Sequence, residues 1–234
     1  MAIGTYVLVH GAWHGGWCWA KVARLLRDAG HEVYTPTLTG LGERAHLARP
    51  EVDLETHIQD VVAMLEAEEL RQVTLVGHSY GGMVITGVAA RTSGRIGHLV
   101  YLDAFVPEAG KCLLDYVGER AAAMREAAAT HGEGWKLPSL PPEAFGVTSQ
   151  RDTEWLSKHL VPQPLRTFEQ PLPAAGGERL KRTYVYCSRP ARGTFDQFAE
   201  RLRDDRKWTF HDVKTGHDAM VTAPGELAKI LMGK

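Results

Sequence analysis

Apolar positions along this chain fall into two alternating rhythms. Strands are expected at residues 6–9, 32–35, 73–76, 98–102, 183–186 and 208–211, and several of these runs are apolar at almost every position. That is the pattern of strands buried on both faces. Between them apolar residues recur three and four apart. Leu54, Ile58, Val61, Val62 and Leu65 form one stripe within 54–69, and Asp53 is placed to cap that helix. Further helices are expected at 17–29, 82–91, 193–203 and 224–231. Strands separated by helices pair in parallel through right-handed crossovers. The chain therefore reads as α/β, with a mostly parallel sheet of about six strands flanked by helices. In such sheets the chemistry collects beyond the carboxyl ends of the strands.

One region breaks the alternation. From 107 to 180 the chain turns helical and proline-rich, with a helix expected at 121–129 and interruptions at Pro138, Pro141, Pro142, Pro162, Pro164, Pro171 and Pro173. It lacks strand periodicity and is too long for a simple crossover. We read it as a helical cap inserted between core strands of a single domain spanning 1–234, with no internal repeat.

Composition narrows the partners. Lys and Arg number 27 against 28 for Asp and Glu, a net charge of −1, which leaves no electrostatic footprint for nucleic acid or an anionic membrane. No apolar run approaches the ~20 residues that span a bilayer. Residues 3–9 are too short for a secretory leader and lack its basic start. Cys18, Cys112 and Cys187 are odd in number and show no C-x-x-C spacing, so a reduced, cytoplasmic protein is expected, with each thiol a small buried apolar group. A small-molecule substrate is the expected partner, and a homodimer is left open.

The chemistry centres on Gly77-His78-Ser79-Tyr80-Gly81, which stands between a β-prone run and the apolar helix that begins near Gly82. A serine on such a strand-to-helix turn is pushed clear of both elements, with the amides of the helix N-terminus aimed back at it. A Cβ at Gly77 or Gly81 would crowd the turn. A serine hydroxyl is a poor nucleophile at neutral pH and needs a base such as histidine. Of eleven histidines, His217 is the best placed, in a Thr-Gly-His loop after the last strand. His10 and His14, an i, i+4 pair without a third ligand or an H-E-x-x-H pattern, read as structural, and no metal is expected. His78 abuts the serine with its side chain on the other side of the turn.

Four segments together resemble the α/β-hydrolase fold over essentially the whole chain. They are Val7-Leu8-Val9-His10-Gly11-Ala12-Trp13-His14-Gly15-Gly16-Trp17, Val76-Gly77-His78-Ser79-Tyr80-Gly81-Gly82-Met83, Tyr101-Leu102-Asp103-Ala104-Phe105-Val106-Pro107 and Gly216-His217-Asp218-Ala219-Met220. Within that fold the chain is most similar to the compact group of plant methyl-ester esterases and hydroxynitrile lyases and their bacterial esterase relatives. The resemblance implies a Ser–acid–His order and no cofactor. In the plant-type enzymes the acid follows the fifth strand, a few residues past a cysteine equivalent to Cys187. Here the chain reads Cys187-Ser188-Arg189-Pro190, with proline where aspartate is expected. The leading candidate is then Asp103, at the end of the strand 98–102, where some other α/β-hydrolases carry their acid. Asp196 is second, followed by Asp218 and Asp212.

Two amides are needed to hold the developing oxyanion. Tyr80 N–H directly follows the nucleophile, and by resemblance the other is Ala12 N–H. The lyases of this group carry a hydroxylated residue at position 11 and a lysine directly after the catalytic histidine. Here those are Gly11 and Asp218, which favours ester hydrolysis over lyase chemistry. Of the loop and cap aromatics Trp13, Tyr80, Phe105, Trp135, Trp155 and Phe168, we name Trp13 and Phe105 as substrate contacts. Glu43 and Arg44 are expected to pair with each other and fix their loop. Three functions remain: a serine esterase on small or aryl esters, a carbon–carbon bond enzyme such as a lyase or cofactor-free oxygenase, and a catalytically dead small-molecule receptor. Dehalogenase chemistry needs a carboxylate at 79 and is excluded.

Overall fold

The computed structural model describes residues 3–189 and 193–233. In chain order its strands are β1 (Thr5–Val9), β2 (Glu32–Tyr34), β3 (Val73–His78), β4 (Ile96–Leu102), β5 (Lys136–Leu137), β6 (Gln163–Pro164), β7 (Lys181–Cys187) and β8 (Thr209–Val213). The helices are α1 (Ala20–Asp28), α2 (Leu54–Ala67), α3 (Gly81–Thr92), α4 (Arg120–His131), α5 (Gln150–His159), α6 (Arg166–Glu169), α7 (Asp196–Leu202), α8 (Ala219–Thr222) and α9 (Pro224–Leu231). Six strands form one sheet in the order β2-β1-β3-β4-β7-β8, with every neighbouring pair parallel. The middle of that sheet is the most apolar: Val7, Leu8, Val9, Leu75, Val76, Leu99, Leu102 and Val185 are fully buried, which is why these runs lack alternation.

Local chemistry sets the element ends. Asp53 caps α2 by accepting the Thr56 N–H at 3.0 Å, and Thr56 returns a side-chain bond to the Asp53 amide. The stripe from Leu54 to Leu65 is buried along its length, each side chain contributing about 1.5–3 kcal/mol by leaving water. At 17–29 the expected single helix divides into a 3₁₀ turn, Gly16–Trp19, and then α1. Towards 193–203 the helix starts only at Asp196, leaving Thr194 and Phe195 in the loop.

Between β4 and β7 the chain runs through α4, α5 and α6. It also contains a two-stranded antiparallel pair, β5 with β6, where no strand was expected. Two-residue strands are too short to show a period, and Pro164 obscures one of them. Among the described residues no helix is long and apolar enough to cross a membrane. All three cysteines are free and buried.

Candidate active site

Because the strands run parallel, the residues that follow β3, β4 and β8 emerge along one edge of the sheet. Ser79 follows β3, Asp103 follows β4, and His217 lies on the loop past β8. Ser79 sits at φ +54, left-handed backbone that costs a residue with a Cβ about 1–3 kcal/mol. Its surroundings hold it there. Its amide donates to the Leu102 carbonyl at 3.2 Å, and its carbonyl accepts from Gly82 and Phe105 at 3.0 and 3.2 Å. The turn closes tightly enough that a Cβ on Gly77 would lie 2.6 Å from the Gly81 carbonyl oxygen.

Asp103 is likewise left-handed, at φ +40, with its amide donating to the Val185 carbonyl at 2.7 Å. One carboxylate oxygen accepts from the Cys187 amide at 3.2 Å and the other from His217 Nδ1–H at 2.6 Å. Asp103 and His217 are each 1% exposed. With its proton held on Nδ1, the imidazole keeps a lone pair on Nε2. The ring packs on Phe195, stacked at 4.8 Å between centroids, and on His78 at 4.4 Å. A methyl on Gly11 would meet His78 Nδ1 at 2.8 Å and Ser79 Cβ at 2.9 Å, so residues 11, 78, 79 and 217 converge on one corner.

The other acids are engaged elsewhere. Asp196 accepts from the Tyr186 hydroxyl at 2.6 Å, Asp212 lies 3.7 Å from Arg203, and Asp218 accepts from His14 Nε2–H at 3.0 Å. Pro190, the point of departure from the plant-type pattern, lies outside the described residues with 191 and 192, so the stretch expected to fold Asp196 back is only partly described.

Histidines organise the loop after β1. His10 Nδ1–H donates to the Gly11 carbonyl at 2.8 Å, and its Nε2 accepts the Leu38 amide at 3.1 Å. The Gly11 carbonyl and the Ala12 N–H belong to the same peptide, so that amide points the opposite way. Among the described residues neither the Ala12 nor the Tyr80 N–H has a hydrogen-bond acceptor, which leaves both available. His57 donates Nε2–H to the Thr39 carbonyl at 2.8 Å and accepts the Tyr80 hydroxyl at 2.9 Å on Nδ1. His78 donates Nε2–H to the His217 carbonyl at 3.1 Å. His78, His217 and Asp218 are the one grouping among the described residues with metal-ligand spacing, within 4.8 Å of one another, and each already has a protein partner.

Burial holds His10 neutral, lowering it to about 3, and lowers His57 and His78 as well, His78 also through the neighbouring His217. These imidazoles protonate near 6.5 once unfolded. Below that value these side chains bind more protons in the unfolded chain, so the stability they contribute is full above about pH 6.5 and is lost as pH falls toward 3. We expect the urea midpoint to drop between about pH 7 and pH 5, with proton uptake on unfolding that grows as pH falls. A midpoint independent of pH over that range contradicts the assignment.

Ser79, partly exposed, lines a cavity of about 470 Å³ whose wall is mostly apolar. Ala12, Trp13, Tyr80, Phe105, Phe168 and Phe195 contribute to it. One face of α4, with Arg120, Ala123, Met124, Ala127 and His131, forms another side. Trp135 and Trp155 are not part of the lining: Lys136 lies over the first ring, and the second packs on Trp17 and His159. The expected Glu43–Arg44 pair is replaced by other partners. Arg44 bonds the Thr37 carbonyl at 2.8 Å and Asp60 at 3.3 Å, while Glu43 accepts from the Thr37 hydroxyl at 2.9 Å. Both side chains still fix the loop, each through Thr37. The Phe145 and Phe195 rings against His217 carried no sequence signal, since nothing local distinguishes them from core phenylalanines.

Comparison with known proteins places this geometry in context. The chain is 46% identical to a carbendazim hydrolyzing esterase of Nocardioides sp. (strain SG-4G), over 98% of each chain. It is 27% identical to methylesterase 10 of Arabidopsis thaliana, over 97% of this chain and 90% of that one. Its fold superposes on an extracellular alpha/beta-hydrolase from a Paenibacillus species with a TM-score of 0.82 at 24% identity, covering 98% of this chain and 97% of the other. The sequence profile described as the alpha/beta hydrolase family matches residues 6–230, and the chain belongs to that family.

Proposed function

We propose that this carboxylic ester hydrolase is a serine esterase acting on small or aryl esters by two-step acyl transfer. The observation that carries the reading is the 2.6 Å bond from His217 Nδ1–H to Asp103, made at the sheet edge where the strained Ser79 turn also emerges. Ser79 Oγ attacks the ester carbonyl as His217 Nε2 takes its proton. Asp103 holds the imidazole in the correct tautomer and stabilises the imidazolium that forms. The Ala12 and Tyr80 amides receive the tetrahedral oxyanion. His217 then protonates the departing alcohol, and water cleaves the acyl-enzyme by the same route. No metal or organic cofactor enters the scheme.

The apolar wall of the cavity suits a flat or aliphatic acyl group, with Trp13 and Phe105 among its contacts and the 107–180 insertion acting as a cap that excludes water. The resemblance to a carbendazim hydrolyzing esterase supports ester hydrolysis as the reaction. Lyase chemistry is disfavoured because Asp218 offers no cation and is turned to His14. Incubation with p-nitrophenyl acetate and with a methyl aryl carbamate tests the reading. We expect release of p-nitrophenol and methanol, blocked by one equivalent of an organophosphonate. No release from either substrate contradicts it.

A further inference from the structure

The histidine pair read from sequence as merely structural has a second member, His14, whose partners are unusual. Its Nδ1 lies 2.7 Å from the Ala12 carbonyl and its Nε2 lies 3.0 Å from Asp218 Oδ2. A carbonyl can only accept, so Nδ1 must carry a proton. An ionised carboxylate can only accept as well, so Nε2 must carry one too. His14 is then an imidazolium paired with a carboxylate, both essentially out of contact with water at 1% and 0% exposure. Burial raises the Asp218 carboxyl, but His14, with His78 and His217, outweighs it and holds the group below its ordinary value. That direction agrees with the ionised form.

The position of the pair matters more than its charge. The Ala12 carbonyl belongs to the peptide that follows the Ala12 amide, and the Trp13 N–H of that same peptide donates to the buried Gln163 side chain at 3.0 Å. Trp13 sits at φ +66, so the peptide is held at both ends in a conformation the chain would otherwise leave. At the other end of the bridge, Asp218 directly follows His217, and His78 donates to the His217 carbonyl. One buried contact, spanning 204 positions of sequence, thus connects the loop carrying the Ala12 amide to the loop carrying the imidazole.

We propose that His14 and Asp218 are positioning residues that fix the Ala12 amide relative to His217 through a buried imidazolium–carboxylate bridge. The proposal rests on the serine esterase reading. Neither residue touches substrate, and their contribution is alignment of the oxyanion donor, which matters in the transition state and not in the ground state.

Two variants test it, Asp218→Asn and the apolar double variant His14→Phe/Asp218→Leu. Asp218→Asn removes the charge of the pair but not its hydrogen bonds: a neutral His14 keeps Nδ1–H on the Ala12 carbonyl while the asparagine amide donates to Nε2. The double variant removes both charges, a replacement that buried pairs commonly tolerate. In the folded double variant we expect kcat to fall roughly 30-fold with KM within about threefold, and affinity for a boronic acid transition-state analogue to fall in parallel, with a smaller loss in Asp218→Asn. A folded double variant with wild-type kcat and wild-type boronate affinity overturns the proposal, because a merely structural pair predicts that result. Nitrogen-15 NMR of the histidine rings in the unmodified protein supplies a readout that needs no variant. Protonation of both His14 nitrogens at neutral pH is expected, and a singly protonated ring overturns the bridge. The two readings fail separately: activity retained by Ser79→Ala removes the serine mechanism, whereas full activity of the double variant removes only the bridge.

Discussion

Replacing Ser79 with alanine should lower kcat for ester hydrolysis by roughly 10⁶-fold, with the fold and the binding of uncleaved ligands unchanged. The size follows from the way the groups act together. Without Oγ there is no acyl-enzyme, and His217 has no serine proton to accept. What survives is the modest rate from the oxyanion amides and from binding alone. The fold should survive because the turn is held by backbone bonds to Leu102, Gly82 and Phe105, none of which uses the hydroxyl. Steady-state kinetics together with far-ultraviolet circular dichroism check this. A variant within tenfold of the parent rate means that another group performs the attack.

The second large effect concerns the acid. Asp103→Asn should lower kcat by about 10⁴-fold while KM stays near its original value. An asparagine amide in place of the carboxylate can donate to Nδ1, which shifts the imidazole to the tautomer protonated on Nε2, so that Nε2 can no longer accept the serine proton. Asp196→Asn is the matched control. Asp196 receives the Tyr186 hydroxyl at the start of α7, whereas the His217 Nδ1 proton goes to Asp103, so its loss should change kcat by less than about tenfold. If instead Asp103→Asn stays near the parent rate and Asp196→Asn collapses, the acid has been misassigned.

These two residues illustrate what was legible in the sequence. The Ser79 turn could be read because its signal is local: a β-prone run, two glycines and an apolar helix within about twenty residues. Asp103 could be read because it ends a strand, and the ends of parallel strands share an edge. The central strands β1, β3, β4 and β7 were visible as apolar runs with little alternation. Features built from contacts across hundreds of positions left no such trace. Nothing near Asp218 indicates His14, and nothing near Trp13 indicates Gln163. Arg44 has an acidic neighbour in sequence, yet the folded chain offers it Asp60 and the Thr37 carbonyl. The short β5–β6 pair was missed because two residues cannot display a period. The 3₁₀ turn ahead of α1 was read as helix because its apolar spacing continues into the helix proper.

The most direct test of the whole account is the covalent intermediate. The protein is mixed with a slowly deacylating aryl ester, quenched in acid within milliseconds to seconds, digested and analysed by mass spectrometry. One acyl group per chain is expected, carried on the peptide that contains Ser79 and absent when His217 is replaced by alanine. Ester turnover with no acylated peptide, or with the acyl group on any other residue, would contradict it.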